Sequence, residues 1–495
     1  MTSLSLNGPS VGYSRRSLLD LDELVLHTVI EAILDDVPSQ TPFGVSKYRL
    51  RQPFVLAAIC QPLRQFIMSR GAFWSKIRID IESSPDLIEA SISRSRSAPL
   101  YLEITQTIPG PDDSDQFDLD RFRLIVHRMG PRLVTLSISI SRMDIFQLLV
   151  AENKDDRVIS GGITNLRLTM ALFATTIEPI HFVGPRTTQL NLLAQPITPL
   201  RLVDLLKSCE CLKTLRLRSL SFDVTEEEIE AALQVANTAA SGKRATQSLT
   251  HLTIFMLKDL EFMLKIILSF FPLTFKTASF IRLGPDIPPR ASDYAILESH
   301  LDLTKMQGHN SRDVSLAISG PYYELKSADG QLRRQFVLFF LLSEQEIASP
   351  ERTIALGLLR RVAALDLKLE TTQSILQWLD LWRRDTFPEL RSIVVHLTVD
   401  LTGDSPSSTI LESAEQNSLK ITAPRLEKVT FEWEVTGMVH GDTYDESDPT
   451  VQSWAQLCRV VLGAFTSTST ITIDACSNRE LTFPPSLVKK AILSC

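Results

Sequence analysis

A short apolar alternation of the form L-x-L recurs along most of the chain, and it constrains the fold more than any other feature. In many copies another apolar residue stands three positions earlier, as in Leu133, Leu136 and Ile138. Each copy has the length and period of a β-strand with one buried face. The copies begin at Leu136, Leu166, Leu190, Leu215, Leu252, Val314, Leu365, Ile393, Val429 and Ile471.

Segments of helical period separate these strands. The steps between copies run from 24 to 62 residues, and the longest of them require inserted helices or a further strand near Ala278 and Phe280. The candidate helices are Pro199 to Lys207, Thr225 to Ala240, Asp259 to Phe270, Thr371 to Trp382 and Val451 to Phe465. Repeated strand, loop and helix units form right-handed crossovers, so residues 131–495 are predicted to be an α/β, irregular leucine-rich-repeat solenoid with a curved parallel sheet.

The first 130 residues follow a different pattern. Residues 1–17 are polar and predicted to be disordered, and residues 18–34 have the apolar period of an amphipathic helix. Residues 37–52 are predicted to be a loop, and residues 54–68 a helix that Pro62 kinks or divides. A strand follows through Ile77, Ile79 and Ile81. We therefore predict a helical domain over 18–80 and, over 81–130, a linker with the first solenoid elements.

Composition excludes several classes of protein. Because 44% of the residues are hydrophobic, global disorder is excluded. Because the chain has 495 residues, more than one ordinary core is expected. The formal net charge of -7 leaves no basic surplus for a nucleic-acid backbone. Six irregularly spaced cysteines are typical of a reduced compartment. No apolar run has the length of a membrane span, so we expect a cytoplasmic or nuclear protein with neither membrane nor nucleic acid as partner.

Motifs for catalysis or metal binding are missing or incomplete. Cys209 and Cys211 form a pair without a second Cys or His pair, and the eight histidines are dispersed. Residues 241–244 read Ser-Gly-Lys-Arg, which lacks the first Gly and the Ser or Thr of a phosphate loop. Thr225 before a run of glutamates is a helix N-cap. We expect no catalytic residue, no metal and no cofactor, hence a non-catalytic binding protein.

The N-terminal pattern resembles the F-box family, in particular the F-box-like proteins of mushroom-forming fungi. The similarity extends over about 85 residues and includes a leucine-rich first helix, a second helix ending near Arg64, and a Phe73-Trp74 turn before an I-R-I strand. The matching positions are Leu21, Glu23, Leu24, Ile30, Leu34, Leu56, Ile59, Cys60, Arg64, Phe73, Trp74, Ile77, Arg78 and Ile79. The segment from Asp86 to Ile104 resembles the link between F-box and repeats in those proteins.

The resemblance implies the substrate-recognition subunit of an SCF-type cullin-RING ubiquitin ligase. In such a subunit the F-box helices bind a Skp-type adaptor, and through it a cullin, while the repeats bind a target protein. The adaptor-binding residues that the resemblance implies are Leu21, Leu24, Val25, Leu56, Ile59, Cys60, Leu63, Arg64 and Trp74. The chain departs from the family pattern at Pro62, Leu63 and Gly71. An alternative is therefore a non-enzymatic repeat scaffold with a degenerate F-box that no longer binds the adaptor.

Overall fold

The structure is a computed structural model. The chain forms two compact units. Unit 1 comprises Met1–Ile197 with Ser208–Leu212, and unit 2 comprises Thr198–Lys207 with Lys213–Cys495. The described residues are 21–35, 45–79, 84–105, 129–140, 163–170, 183–193, 198–218, 225–240, 248–257, 260–285, 314–319, 322–327, 329–337, 357, 359–368, 372–382, 385–400, 420–436, 449–468 and 470–477.

The described residues contain both helices and strands, as the sequence predicts for an α/β protein. The helices are α1 (Glu23–Asp35), α2 (Val45–Ile59), α3 (Gln61–Ser69), α4 (Pro85–Arg94), α5 (Pro199–Ser208), α6 (Glu226–Ala240), α7 (Leu260–Phe270), α8 (Thr274–Thr277), α9 (Thr372–Leu381) and α10 (Pro449–Ala464). The strands of unit 1 are β1 (Lys76–Ile79), β2 (Leu100–Thr105), β3 (Leu133–Ile140), β4 (Asn165–Met170) and β5 (Gln189–Leu193).

Unit 2 contains the remaining strands. They are β6 (Thr214–Arg218), β7 (His251–Leu257), β8 (Phe280–Pro285), β9 (Val314–Ser319), β10 (Tyr322–Ser327), β11 (Arg333–Val337), β12 (Ala364–Lys368), β13 (Ser392–Asp400), β14 (Ile421–Thr422), β15 (Lys428–Thr436), β16 (Phe465–Thr466) and β17 (Thr472–Ser477). Every predicted L-x-L copy lies on or next to the start of a strand, and β8 is the further strand expected near Phe280.

The N-terminal helices share one hydrophobic core. Leu26, Ile30 and Leu34 recur every four residues on α1 and are buried, as is Ala57 on α2. Pro62 stands at the start of α3, so it marks the junction of two helices, as the sequence predicts. The prediction of a loop over 37–52 is wrong from Val45 onward, because α2 begins there and continues through Pro53.

The core of the N-terminal helices closes at the turn before β1. Leu63 and Ile67 come from α3, and Phe73 and Trp74 come from a short 3-10 turn over Gly71–Trp74. The Trp74 Nε1 donates a hydrogen bond to the Ile67 carbonyl at 3.0 Å. The predicted strand through Ile77 and Ile79 is confirmed as β1, while Ile81 and residues 1–17 lie outside the described residues.

Gly71 is required by a close backbone approach, and Gly71→Ala is expected to lower the free energy of unfolding by about 1–3 kcal/mol. A Cβ at this position would meet the Ser95 carbonyl group well inside van der Waals contact, and a backbone group cannot rotate away. Urea unfolding followed by circular dichroism measures the change.

Gly463→Ala is the matched control, since Gly463 is exposed in α10 and an added Cβ there meets nothing within 4 Å. Alanine in a helix is favoured over glycine by about 1 kcal/mol, so this variant should be as stable as the parent or more stable. Equal urea midpoints for the two variants would contradict the steric explanation for Gly71.

The sheet of unit 1 is parallel, in the order β1-β2-β3-β4-β5. One row of leucine-type side chains crosses it in register and is buried, and it consists of Ile77, Leu102, Leu136, Leu166 and Leu190. Because side chains alternate along a strand, the residues between these point to the opposite face, which is polar. The Thr164 and Thr188 hydroxyl groups donate hydrogen bonds to the carbonyls of Val134 and Thr164, which tie the starts of neighbouring strands together.

The main sheet of unit 2 has the order β6-β7-β8-β11-β10-β9-β12-β13-β15-β17, and β14 and β16 form a separate two-stranded sheet. Among its described strands only β10 is antiparallel to its neighbours, because β10 and β11 form a hairpin inserted between β9 and β8. The sequence reading missed this hairpin. Its turn contains Asp329 and Gly330, a pair typical of hairpins, and Gly330 has a φ of 68°.

Arg334 on β11 stands at a buried position between Ile281 and Leu325. Its Nη1 donates a hydrogen bond to the Ala278 carbonyl at 2.9 Å, and its Nη2 donates one to the Phe275 carbonyl at 3.2 Å. These carbonyls lie in and directly after the four-residue helix α8. Burial lowers the pKa of Arg334 to about 10, which leaves it charged at neutral pH.

Candidate functional site

Exposed aliphatic side chains lie on α1, just before α1 and on α2. The most exposed are Leu24, Val55 and Ile59, at 72%, 60% and 65% of their full accessible area. Val25 on α1 and Leu21, two residues before α1, are also exposed, and we call these five residues the outer apolar face. Isolated exposed leucines are ordinary, but five branched aliphatic residues on helices that share one core are typical of an interaction surface.

The helical period explains why these residues face outward. In α1 the buried residues Leu26, Ile30 and Leu34 occupy one side, and Leu24 is turned from Leu26 by roughly 200° around the axis. In α2 Val55 and Ile59 are four residues apart and therefore neighbours on one side, whereas Ala57 between them is buried. The segment thus carries two apolar stripes, of which its own core uses one.

Polar interactions border the outer apolar face. The Leu24 backbone N–H donates a hydrogen bond to Asp22 Oδ1 at 2.8 Å, which caps the start of α1. Glu23 forms an ion pair with Arg70 after α3. The Nε of the exposed Arg64 side chain donates a hydrogen bond to the Ala57 carbonyl at 2.9 Å, so α2 and α3 are tied together. These contacts hold the helices that present the face.

The structure separates the nine predicted adaptor-binding residues into three groups. Leu21, Leu24, Val25, Ile59 and Arg64 are exposed, and Leu56 and Cys60 are partly buried against the core. Leu63 and Trp74 belong to the core, with only 4% and 1% of their surfaces accessible. Val55 was missed by the sequence reading, although its place four residues before Ile59 could have revealed it.

The Trp74 side chain packs inside the protein instead of facing solvent. Its ring meets the edge of Phe54 at a centroid distance of 4.8 Å. The Arg94 guanidinium lies over both rings, 4.6 Å from the Phe54 centroid and 4.9 Å from the Trp74 centroid. Arg94 belongs to α4, so these contacts connect the N-terminal helices to the sheet of unit 1.

A second surface lies on the polar face of the unit 1 sheet. A groove of about 350 Å³ crosses all five strands and is lined mainly by two rows of polar side chains. One row runs in register through Arg78, Glu103, Ser137, Arg167 and Asn191. Arg78 pairs with Glu103 at 3.5 Å. Such a groove can accept hydrogen bonds and charges from an extended chain lying across the strands.

His396 in unit 2 lies between two carboxylates on neighbouring strands. Its Nε2 is 2.7 Å from Asp366 Oδ1 on β12, and its Nδ1 is 3.3 Å from Glu432 Oε2 on β15. The hydrogen bond with Asp366 raises the pKa of His396, and the charges of Asp366 and Glu432 add to this effect, while burial and Lys368 oppose it. The cluster therefore favours the protonated imidazole.

The stability of unit 2 is expected to fall as the pH rises above about 6.5. A pKa raised in the folded state means that His396 stabilises the fold fully below its unfolded pKa of about 6.5, and that this contribution is lost as the pH passes the folded pKa. Because the side chain is partly exposed, solvent screening limits the contribution to about 0.5–1 kcal/mol. Thermal unfolding across this pH range measures it.

His396→Gln should remove this pH dependence. His251→Gln is the control, because the Nδ1 of His251 lies 3.1 Å from the Thr250 hydroxyl and has no carboxylate beside it among the described residues. If the pH profile of His396→Gln matched that of the parent, another group would be responsible.

Other candidate sites from the sequence have ordinary surroundings. Cys209 is buried and Cys211 is exposed, and both are free thiols. No group of three or more His, Cys, Asp or Glu residues suited to a metal ion occurs within the described ranges. Thr225 and Glu228 form reciprocal N-terminal hydrogen bonds, which confirms the predicted cap. Residues 241–244 lie outside the described part of the chain.

Burial also shifts two groups in unit 2 away from reactivity. It raises the pKa of the Tyr323 hydroxyl and of the Cys458 thiol, so both stay neutral at physiological pH. A search for membrane-spanning helices in the described residues finds no helix that is both long and apolar enough.

No protein family matches the chain, and no curated protein matches it. The class of protein that the fold defines is mixed α/β, with a large, mostly parallel β-sheet. Its most distinctive surface in unit 1 is the outer apolar face of α1 and α2.

Proposed function

We propose that the chain is the substrate-recognition subunit of an SCF-type cullin-RING ubiquitin ligase. In this proposal α1 to α3 form an F-box-like module that binds a Skp-type adaptor, and through it a cullin. The strands and helices that follow form an irregular leucine-rich-repeat solenoid that binds a target protein. The chain itself supplies binding surfaces, and the ubiquitin-loaded enzyme supplies the chemistry.

The outer apolar face is the observation that supports this proposal most. Four of its five residues, Leu21, Leu24, Val25 and Ile59, are residues to which the F-box resemblance assigns adaptor contact, and all four are exposed. A helix pair that only capped a sheet would bury its apolar residues, since each buried aliphatic side chain contributes about 1.5–3 kcal/mol.

The energetics of docking suit a stable complex. Covering the outer apolar face would remove five aliphatic side chains from water. These side chains would form the apolar centre of the interface. A specific interface buries about 1,200–2,000 Å² in total, so polar groups around the face must also contribute. Arg64 and the Glu23–Arg70 ion pair are placed to form that border.

Co-purification of the full chain with a Skp-type adaptor tests the proposal. We expect a stoichiometric complex in size-exclusion chromatography with light scattering, and a larger complex once the cullin is added. A full chain that folds but elutes alone with the adaptor in excess would contradict the proposal. The repeat scaffold with a degenerate F-box would then be the better description.

A further inference from the structure

Three arginines on the open face of the unit 2 sheet have no acidic partner among the described residues. Arg216 and Arg218 lie on β6, and Arg282 lies on β8. Arg216 and Arg282 are joined in register through Thr253 on β7, so the three side chains belong to one face of three adjacent strands. We call them the arginine cluster.

Aromatic rings hold two of these guanidinium groups in place. Arg218 lies 5.4 Å from the centroid of the Phe255 ring, and Arg282 lies 4.7 Å from the same centroid. Arg282 also lies 5.2 Å from the Tyr322 centroid, so it is positioned between two rings. Phe255 pairs with Gly284 on β8, two residues after Arg282. A stacked guanidinium keeps its edge available for hydrogen bonds.

The surroundings leave the arginine cluster positively charged. Glu324 on β10 is paired with Lys326 and Arg333, each at 3.0 Å, and is therefore already neutralised. Arg218 and Arg282 share one ring and repel each other, although the whole chain has a net charge of -7. The Arg282 Nε is also buried without a hydrogen-bond partner. An anion lying between the two guanidinium groups would remove the repulsion.

We propose that the arginine cluster binds an acidic peptide segment of a partner protein, with carboxylates held by Arg218 and Arg282. Both guanidinium groups lie within 5.4 Å of the Phe255 centroid, so two neighbouring carboxylates on one peptide segment can each pair with one of them. The net negative charge of the chain opposes a long nucleic-acid polyanion. This inference does not depend on adaptor binding.

Fluorescence anisotropy with a labelled decaglutamate peptide and the full chain tests the inference. We expect saturable binding at 50 mM salt that weakens at 150 mM salt, and no binding of decaglutamine. Arg218→Gln with Arg282→Gln should weaken binding at least tenfold. Arg282→Lys should weaken it at least threefold although the charge is kept, because lysine lacks the planar fork.

Arg186→Gln is the matched control, since Arg186 is an exposed arginine of unit 1 and the substitution removes the same charge. Its affinity for decaglutamate should stay within twofold of the parent. An equal loss for Arg186→Gln and Arg282→Gln would overturn the inference, and so would the absence of decaglutamate binding. Equally tight binding of a ten-residue oligothymidylate that depends on Arg282 would also overturn the choice of a peptide. Far-ultraviolet circular dichroism confirms that each variant is folded.

Discussion

Leu24→Asp in the full chain is expected to weaken binding to a Skp-type adaptor at least 100-fold. Leu24 is the most exposed residue of the outer apolar face, so the aspartate is solvated in the free chain and the fold is unchanged. In the complex it would be an unpaired carboxylate in an apolar interface, which costs several kcal/mol. Isothermal titration calorimetry with purified adaptor measures the affinity, and thermal unfolding confirms the fold.

Ile59→Asp should have the same effect from the second helix of the face. Val235→Asp is the control, because Val235 is 41% exposed on α6 in unit 2 and lies outside the face. Adaptor affinity for this control should equal that of the parent. If both Leu24→Asp and Ile59→Asp bound the adaptor normally, the outer apolar face would be assigned to the wrong partner.

Trp74→Ala is expected to lower the free energy of unfolding by about 3–5 kcal/mol. The indole is almost fully buried among Phe54, Arg94 and the core residues of α3, and it donates a hydrogen bond to the Ile67 carbonyl. Alanine would leave a cavity and an unsatisfied carbonyl. Urea unfolding followed by circular dichroism measures the loss, since the signal does not depend on the removed fluorophore.

Trp74→Phe provides the graded control, because it keeps an aromatic ring in the core but removes the Nε1 donor. We expect a loss of about 1–3 kcal/mol, smaller than that of Trp74→Ala. If Trp74→Ala kept the parent's urea midpoint and lost only adaptor affinity, Trp74 would be a contact residue and its reassignment to the core would be wrong.

The two proposed binding surfaces make separable predictions. The outer apolar face lies in unit 1 and depends on Leu24 and Ile59, whereas the arginine cluster lies in unit 2 and depends on Arg218 and Arg282. Substitution in one surface should leave binding at the other unchanged within about twofold, because no residue is shared. Measuring both affinities in both sets of variants therefore tests each proposal by itself.

Strands were predictable from the sequence because their side chains alternate between two different environments. Leu215 and Leu217 are buried while Arg216 and Arg218 are exposed, and this period of two is visible in the letters alone. The hairpin of β10 and β11 was not predicted from the sequence. Arg334 occupies a buried position of β11 where the alternating pattern requires an apolar residue. The carbonyls of Phe275 and Ala278, 59 and 56 residues earlier in the chain, accept hydrogen bonds from Arg334 and so favour a cation at that position.

Helix α2, near the N-terminus, is a second element that local sequence patterns did not predict correctly. Pro53 and the polar residues before it indicate a loop by local propensity, since proline removes a helical hydrogen bond. The helix nevertheless extends from Val45 to Ile59, and Pro53 itself is buried. Packing around a shared core outweighs local propensity here.

The sequence by itself determined the α/β class, the positions of most strands and the apolar period of the N-terminal helices, because period and composition are local properties. The tertiary structure decided which stripe is buried, that Leu63 and Trp74 belong to the core, and that Arg218 and Arg282 meet over Phe255. These outcomes depend on contacts between residues far apart in the chain. The period of a helix or strand shows that a side is apolar, but only packing decides whether that side is covered by the same chain.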